Sequence, residues 1–182
     1  MIRSSALLLC LALGCGGKQS APAPQAAPAA ETKAPAPAAP AAQPAAPAPP
    51  PAPPLQPDEA GVVHLIGTDQ MRYNATRIEV KAGQKFKVEL KNTGALPKDV
   101  MGHDFVVLKI GNEPMAFAAK AMTAKATDYI PPDGADQMLA HTKLLGPGET
   151  DTIELELPAG TYPFLCTFPG HVGLMNGQLV AQ

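Results

Sequence analysis

The sequence predicts an all-β fold, a β-sandwich with one short helical insertion near residues 115–125. Three observations predict it. Several short segments alternate apolar and polar residues, which turns one face of a strand inward and the other to water. Gly and Pro punctuate these segments at short intervals, as in sandwiches built from many short strands. Only Met115–Lys125, rich in Ala, Met and Lys, reads as helical.

The elements follow in chain order. Ile78 and Val80 alternate with polar neighbours, and Phe86, Val88 and Leu90 are opposed by Lys85, Lys87 and Glu89. The Ala82-Gly83 pair between them reads as a turn, which predicts a hairpin. His103–Ile110 is more continuously apolar and is expected to be a buried strand. Ile153, Leu155 and Leu157 alternate with Thr152, Glu154 and Glu156, while Tyr162, Phe164 and Cys166 share one face of another strand.

This sandwich is expected to occupy residues 61–182. Residues 1–14 read as a leader: a basic start, then eight mostly Leu and Ala residues from Ala6 to Leu13. That run is far short of the roughly 20 that span a bilayer, so it fits a secretory signal. The segment Ala12-Leu13-Gly14-Cys15-Gly16-Gly17 resembles a bacterial lipobox, which implies lipidation of Cys15. Residues 15–60 are then a lipidated N-terminus and linker. Ala21 to Pro57 holds 16 Ala and 14 Pro in 37 residues and can build no core. It reads as a semi-rigid, PPII-leaning tether, which at ~3.1 Å per residue would reach roughly 110 Å fully extended, or equally as disordered filler with no spacing role.

Composition excludes some functions. Lys plus Arg is 14 against 16 for Asp plus Glu, a net charge of −2, which argues against a nucleic-acid binder. Of three cysteines, Cys10 and Cys15 lie in the first 15 residues, so the domain has no disulfide framework. Cys166 is then a lone thiol in an exported protein. It would be liable to oxidation unless a metal held it.

Cys166, His171 and Met175 form a Cys-x4-His-x3-Met pattern, and His103 begins the apolar strand. Two His, one Cys and a weak axial Met are the donors of a blue-copper electron-transfer site. Structural zinc does not usually recruit Met. A Cys/His nucleophile pair would leave Met175 unexplained. Haem attachment needs a Cys-x-x-Cys-His motif that is absent. A buried Cys, a core Met and two unrelated His remain the competing account, because Met fills cores readily.

At these residues the domain resembles azurin. The likeness runs in order through Asp69-Gln70-Met71, Leu96-Pro97-Lys98, Val100-Met101-Gly102-His103, Ala140-His141-Thr142-Lys143-Leu144 and Cys166 to Met175. It implies a Greek-key β-sandwich of the cupredoxin type holding one copper that cycles between Cu(I) and Cu(II). It further implies His103, Cys166 and His171 as equatorial ligands, Met175 as the axial sulfur, and the Gly102 carbonyl on the opposite side. Asp104 and Thr167 would flank the ligands. Met71, Leu96, Val100, Met101, Phe168 and Pro169 would form an apolar docking patch around a partly exposed His171 ring. With the lipobox and tether, the whole chain resembles lipid-anchored azurins.

The sequence also departs from azurins. Asp104 replaces an Asn that usually ties the two ligand loops together. Gly61 and Gln84 stand near the positions of the typical disulfide, whose loss should cost the apo domain ~2–4 kcal/mol. Phe105 replaces a buried Trp. Asn92 lies near a pH-titrating His of some members, so pH linkage through that His should be missing. His64 and His141 are read as solvent-facing, and the seven Met are scattered rather than clustered.

The expected function is single-electron transfer in the cell envelope by a non-enzymatic, membrane-tethered monomer. Its partners would be c-type cytochromes, oxidases or reductases. The rival is copper storage, delivery or sensing; an azurin domain that docks on cell-surface partners is a third possibility. Gly16 after Cys15 lacks the Asp associated with inner-membrane retention, which favours the outer membrane on the periplasmic side. If Asp104 is ionised near copper it should favour Cu(II) and lower the reduction potential. Redox titration of Asp104→Asn should therefore give a higher potential; an unchanged or lower one rejects this role.

Overall fold

The computed structural model describes residues 53–182; the leader, Cys15 and the tether as far as Ala52 lie outside them. Among the described residues, the strands are β1 (Val62–Thr68), β2 (Arg72–Tyr73), β3 (Arg77–Val80), β4 (Lys85–Asn92), β5 (Val106–Leu108), β6 (Met138–His141), β7 (Thr150–Glu156), β8 (Gly160–Leu165) and β9 (Asn176–Ala181). Helices α1 (Lys98–Met101) and α2 (Pro114–Ala121) interrupt them. One sheet has the order β2-β1-β4-β7 and the other β3-β9-β8-β5-β6. The expected all-β sandwich is what the chain forms.

Alternation sets the inner faces. Val63 and Leu65 of β1, Phe86, Val88 and Leu90 of β4, and Leu155 of β7 are buried in one cluster with Ile78, Phe105, Val107, Tyr162, Phe164 and Leu179. Leu55 belongs to this packing: it lies against the core and pairs with Ile78.

The expected hairpin of residues 78–90 does not form. β3 pairs in parallel with β9, whereas β4 pairs in parallel with β1 and antiparallel with β7. The Ala82-Gly83 turn is real, but it carries the chain from one sheet to the other. Alternation reports which residues face the core, and both segments do face it; it does not report the partner strand.

Two further differences are local. The apolar run from His103 gives a strand only over Val106–Leu108, and α2 stops at Ala121, short of Lys125. α2 also explains why that run lacks alternation. Val106, Leu108 and Leu165 face outward onto Phe117 and Ala118 of α2, while Phe105, Val107 and Phe164 face the sandwich core. Pro114 suits the first turn of α2, where its missing N–H is not needed.

His64 and His141 are exposed, as expected. The His64 ring bridges Asp58 and Glu89 at 3.1 Å each, and His141 Nδ1 lies 2.9 Å from the Thr142 carbonyl oxygen.

The outer cluster yields a contrast between two helix residues. Phe117 is 1% exposed and Met115 is 64% exposed. Phe117→Ala should cost about 3–5 kcal/mol in urea unfolding, and Met115→Ala less than about 0.5 kcal/mol. Equal losses would mean that α2 is not anchored through Phe117.

Candidate metal centre

The centre is built from two places. His103 sits ahead of β5, where its N–H donates to the Leu145 carbonyl at 3.1 Å and its own carbonyl accepts the Leu145 N–H at 2.7 Å. Cys166, His171 and Met175 come from the loop between β8 and β9. That loop folds on itself. The Cys166 N–H donates to the Met175 carbonyl at 2.9 Å, and the Met175 N–H to the His171 carbonyl at 2.8 Å. The His171 N–H donates to the Phe168 carbonyl at 3.0 Å. The x4 and x3 spacings thus span two tight turns that return Met175 beside Cys166.

The side chains converge. One ligand atom each from His103, Cys166 and His171 lies within 4.8 Å of the others, and all three residues are buried. The Cys166 Sγ to His171 Nδ1 distance is 3.6 Å, and the two imidazole centroids are 5.1 Å apart. Met175 is fully buried at the end of the same loop.

Gly102 is also buried. A Cβ there would come within 2.6 Å of the Lys98 carbonyl and 3.0 Å of Leu144. The close approach that demands glycine is therefore to α1 and Leu144.

Burial sets the protonation states. It pushes His171 down to about 4, helped by the neighbouring His103, and it lowers His103 as well. It raises the Cys166 thiol well above its usual 9.0, and the Asp104 carboxylate adds to that rise. The backbone N–H groups of Asp104 and Phe168 act the other way, favouring thiolate. At neutral pH the protein therefore presents two neutral imidazoles and a protonated thiol.

These residues fit copper. Neither nitrogen of the fully buried His103 ring has a hydrogen-bond partner. The Thr68 carbonyl is near enough to temper the fall in its pKa, but it makes no bond of normal geometry. Leaving such a group unsatisfied costs roughly 1–3 kcal/mol, which coordination to a cation would offset. Thiolate and thioether sulfur beside imidazole is the donor chemistry suited to copper.

Asp104 and Thr167 do join the two segments. The Thr167 N–H donates to Asp104 Oδ1 at 2.7 Å, and the Thr167 hydroxyl donates to Oδ2. Burial raises the Asp104 carboxyl, while these two bonds hold it down. Asn92, fully buried, donates to the Leu145 carbonyl at 3.1 Å and so braces the residue that pairs with His103.

The surface around the centre departs from expectation at two residues, His171 and Phe168, which are both buried. His171 is only 2% exposed, so its ring is not a partly exposed edge. The Phe168 ring covers it at a centroid distance of 4.7 Å, and Phe168 is itself buried against Tyr129 at 5.2 Å. Leu96 and Val100 are exposed, and Met71, Met101 and Pro169 are half-buried. Leu174, in the ligand loop, is 44% exposed and was not among the residues picked out by sequence. An apolar residue between His171 and Met175 was the available signal. Tyr73 and Gly67 were also missed; both touch the His103–Asp104 segment, and no local motif marks them.

Comparison with known proteins agrees with this geometry. The family described as copper binding proteins, plastocyanin/azurin family, matches residues 60–182. Azurin of Pseudomonas fluorescens biotype A is 39% identical over 120 residues, covering 63% of this chain and 93% of that protein. Azurin of Bordetella pertussis is 42% identical over 122 residues, covering 64% and 81%. Outer membrane protein H.8 of Neisseria gonorrhoeae is 44% identical over 115 residues, 61% of this chain; the match spans 62% of that protein, less than two thirds of its length. Among solved structures, dithionite-reduced auracyanin from Roseiflexus castenholzii matches with a TM-score of 0.59 at 31% identity, covering 67% of this chain and 97% of that one. With the family match spanning most of the chain and a buried His-Cys-His cluster where copper would bind, this protein belongs to the plastocyanin/azurin family of copper-binding proteins.

Proposed function

We propose that this protein is a tethered electron carrier of the cell envelope, with a type 1 copper held by His103, Cys166 and His171. Met175, fully buried in the same loop, would add a thioether sulfur to the donor set, and the Gly102 carbonyl would be a further weak donor. The observation that carries the reading is the buried convergence of those three side chains, with both His103 nitrogens unpartnered. Copper bound there supplies a one-electron Cu(I)/Cu(II) couple.

The chain's own residues do the rest. Two neutral imidazoles offer lone pairs without first losing a proton. Phe168 and Met175 keep water from the ligands. The loop hydrogen bonds and the Asp104–Thr167 clamp hold the donors in one arrangement, so little has to move when the charge changes. Met71, Leu96, Val100, Met101 and Pro169, with Leu174, form an apolar face for brief docking, since redox encounters use small interfaces; the Phe168 ring, itself buried, covers His171. The partners are redox proteins such as c-type cytochromes, oxidases or reductases. The lipobox-like segment around Cys15 and the Ala/Pro tether support lipid anchoring, and the likeness to an outer membrane protein supports that membrane.

Adding Cu(II) to the purified protein should produce an intense visible band from Cys166 thiolate-to-copper charge transfer and a reversible redox couple. Only weak d–d absorption would mean that Cys166 does not bind Cu(II). Weak, readily exchanged copper would favour storage or delivery instead.

Protonation gives a second test. The imidazoles are neutral and the thiol is protonated at neutral pH, so copper uptake should release about one proton, and affinity should rise about tenfold per pH unit there. Proton release near zero counts against Cys166 as a ligand. In the metal-free domain, His171 refuses a proton that the unfolded chain accepts between pH 6.5 and about 4. Apo stability should therefore fall as pH falls through that window.

A further inference from the structure

The β1–β2 turn meets the copper site in a way the ligand motif does not reveal. Gly67 of β1 and Tyr73 of β2 are direct cross-strand partners. A Cβ on Gly67 would lie 2.9 Å from His103 Cδ2 and 3.2 Å from its Cγ, so the imidazole occupies space that only glycine leaves open. Across the pair, the Tyr73 hydroxyl donates to the Asp104 carbonyl. One strand pair therefore touches two consecutive residues, the ligand His103 and the clamp Asp104.

Tyr73 has an ordinary packing role as well. Its ring meets Phe105 at a centroid distance of 6.3 Å and Phe164 at 5.8 Å, both edge-on. A phenylalanine would make the same contacts. What the hydroxyl adds is a hydrogen bond deep in an apolar cluster, to a residue whose carboxylate and N–H both serve the ligand Cys166 and its neighbour Thr167. Burial keeps that hydroxyl protonated.

We propose that the Gly67–Tyr73 pair is a positioning device for the copper site: Gly67 sets where the His103 ring lies, and the Tyr73 hydroxyl fixes the Asp104 main chain. This rests on copper binding by His103, Cys166 and His171. Neither residue touches the metal. Both act through the consecutive residues His103 and Asp104, the first a ligand and the second bearing a backbone N–H that favours the Cys166 thiolate.

The test uses the full chain as wild type, Tyr73→Phe and Gly67→Ala. Three quantities are read under native conditions: Cu(II) affinity by competition with a chelator, the position of the visible charge-transfer band, and the reduction potential. Thermal unfolding of each metal-free protein is measured alongside. Tyr73→Phe should bind Cu(II) about tenfold more weakly, with a shifted band and potential, while still folded. Gly67→Ala should change the same quantities in a folded protein by displacing the ring. A purely structural tyrosine would lower apo unfolding temperature and leave affinity, band and potential at wild-type values; that result overturns the proposal. A folded Gly67→Ala with wild-type copper properties removes the glycine from it, and if Gly67→Ala fails to fold, Tyr73→Phe decides. A wild type with no charge-transfer band would instead overturn the copper reading itself.

Discussion

Two hydrogen bonds from Thr167 to the Asp104 carboxylate hold together segments 63 residues apart in the chain. His103 precedes Asp104 and Cys166 precedes Thr167, so the clamp sits one residue from a ligand on each side. A buried carboxylate is costly, and burial raises its pKa accordingly. That cost is tolerable only because both oxygens are paired. The arrangement has a consequence for geometry. Any shift of the β8–β9 loop against the start of β5 would leave a buried carboxyl group unpaired, so the His103-to-Cys166 separation is held more firmly than packing alone would hold it.

Legibility in the sequence followed the range of the interaction. Cys166, His171 and Met175 lie in one short loop, so spacing alone brought them together on the page. His103 is far away in sequence and was found because it opens an apolar run and because its flanking residues resemble azurin. Strand faces were readable for the same local reason: β4 and β7 alternate cleanly, and their inward residues are the less exposed ones. Strand partners were not. Segments 78–80 and 85–90 look like two arms of a hairpin, yet they lie in different sheets, because the turn between them is compatible with either outcome. Gly67 and Tyr73 were invisible for the opposite reason. One acts by lacking a side chain and the other by a single oxygen, and each finds its partner more than 30 residues away.

The misjudged exposure of His171 has a related origin. The resemblance to azurin implied a partly exposed ring, and its neighbours Gly170, Gly173 and Leu174 are indeed exposed. The ring itself is covered because Phe168, three residues earlier, turns back over it under the pull of the His171 N–H to Phe168 carbonyl bond. Tyr129, from a separate loop, then closes over Phe168. The cover is aromatic and itself buried, so contact with a partner at this face would be made through exposed apolar residues such as Leu96, Val100 and Leu174.

That burial also decides what the site is before any metal arrives. Two neutral imidazoles and a neutral thiol can share a small apolar volume at little electrostatic cost, whereas two imidazolium ions could not. The domain can therefore fold with its donors already gathered, and the energy of metal binding need not be spent on assembling them. The same neutrality makes the site selective in charge. A cation that accepts one thiolate gains a strong partner and displaces one proton, leaving a net gain of charge that the nearby Asp104 carboxylate can balance when ionised. A centre whose ligands are held by backbone hydrogen bonds, and whose charge is balanced from a fixed clamp, has little to rearrange when one electron enters or leaves. Rigidity at His103 would serve that exchange, and the space left at Gly67 and the hydroxyl of Tyr73 lie where they could provide it.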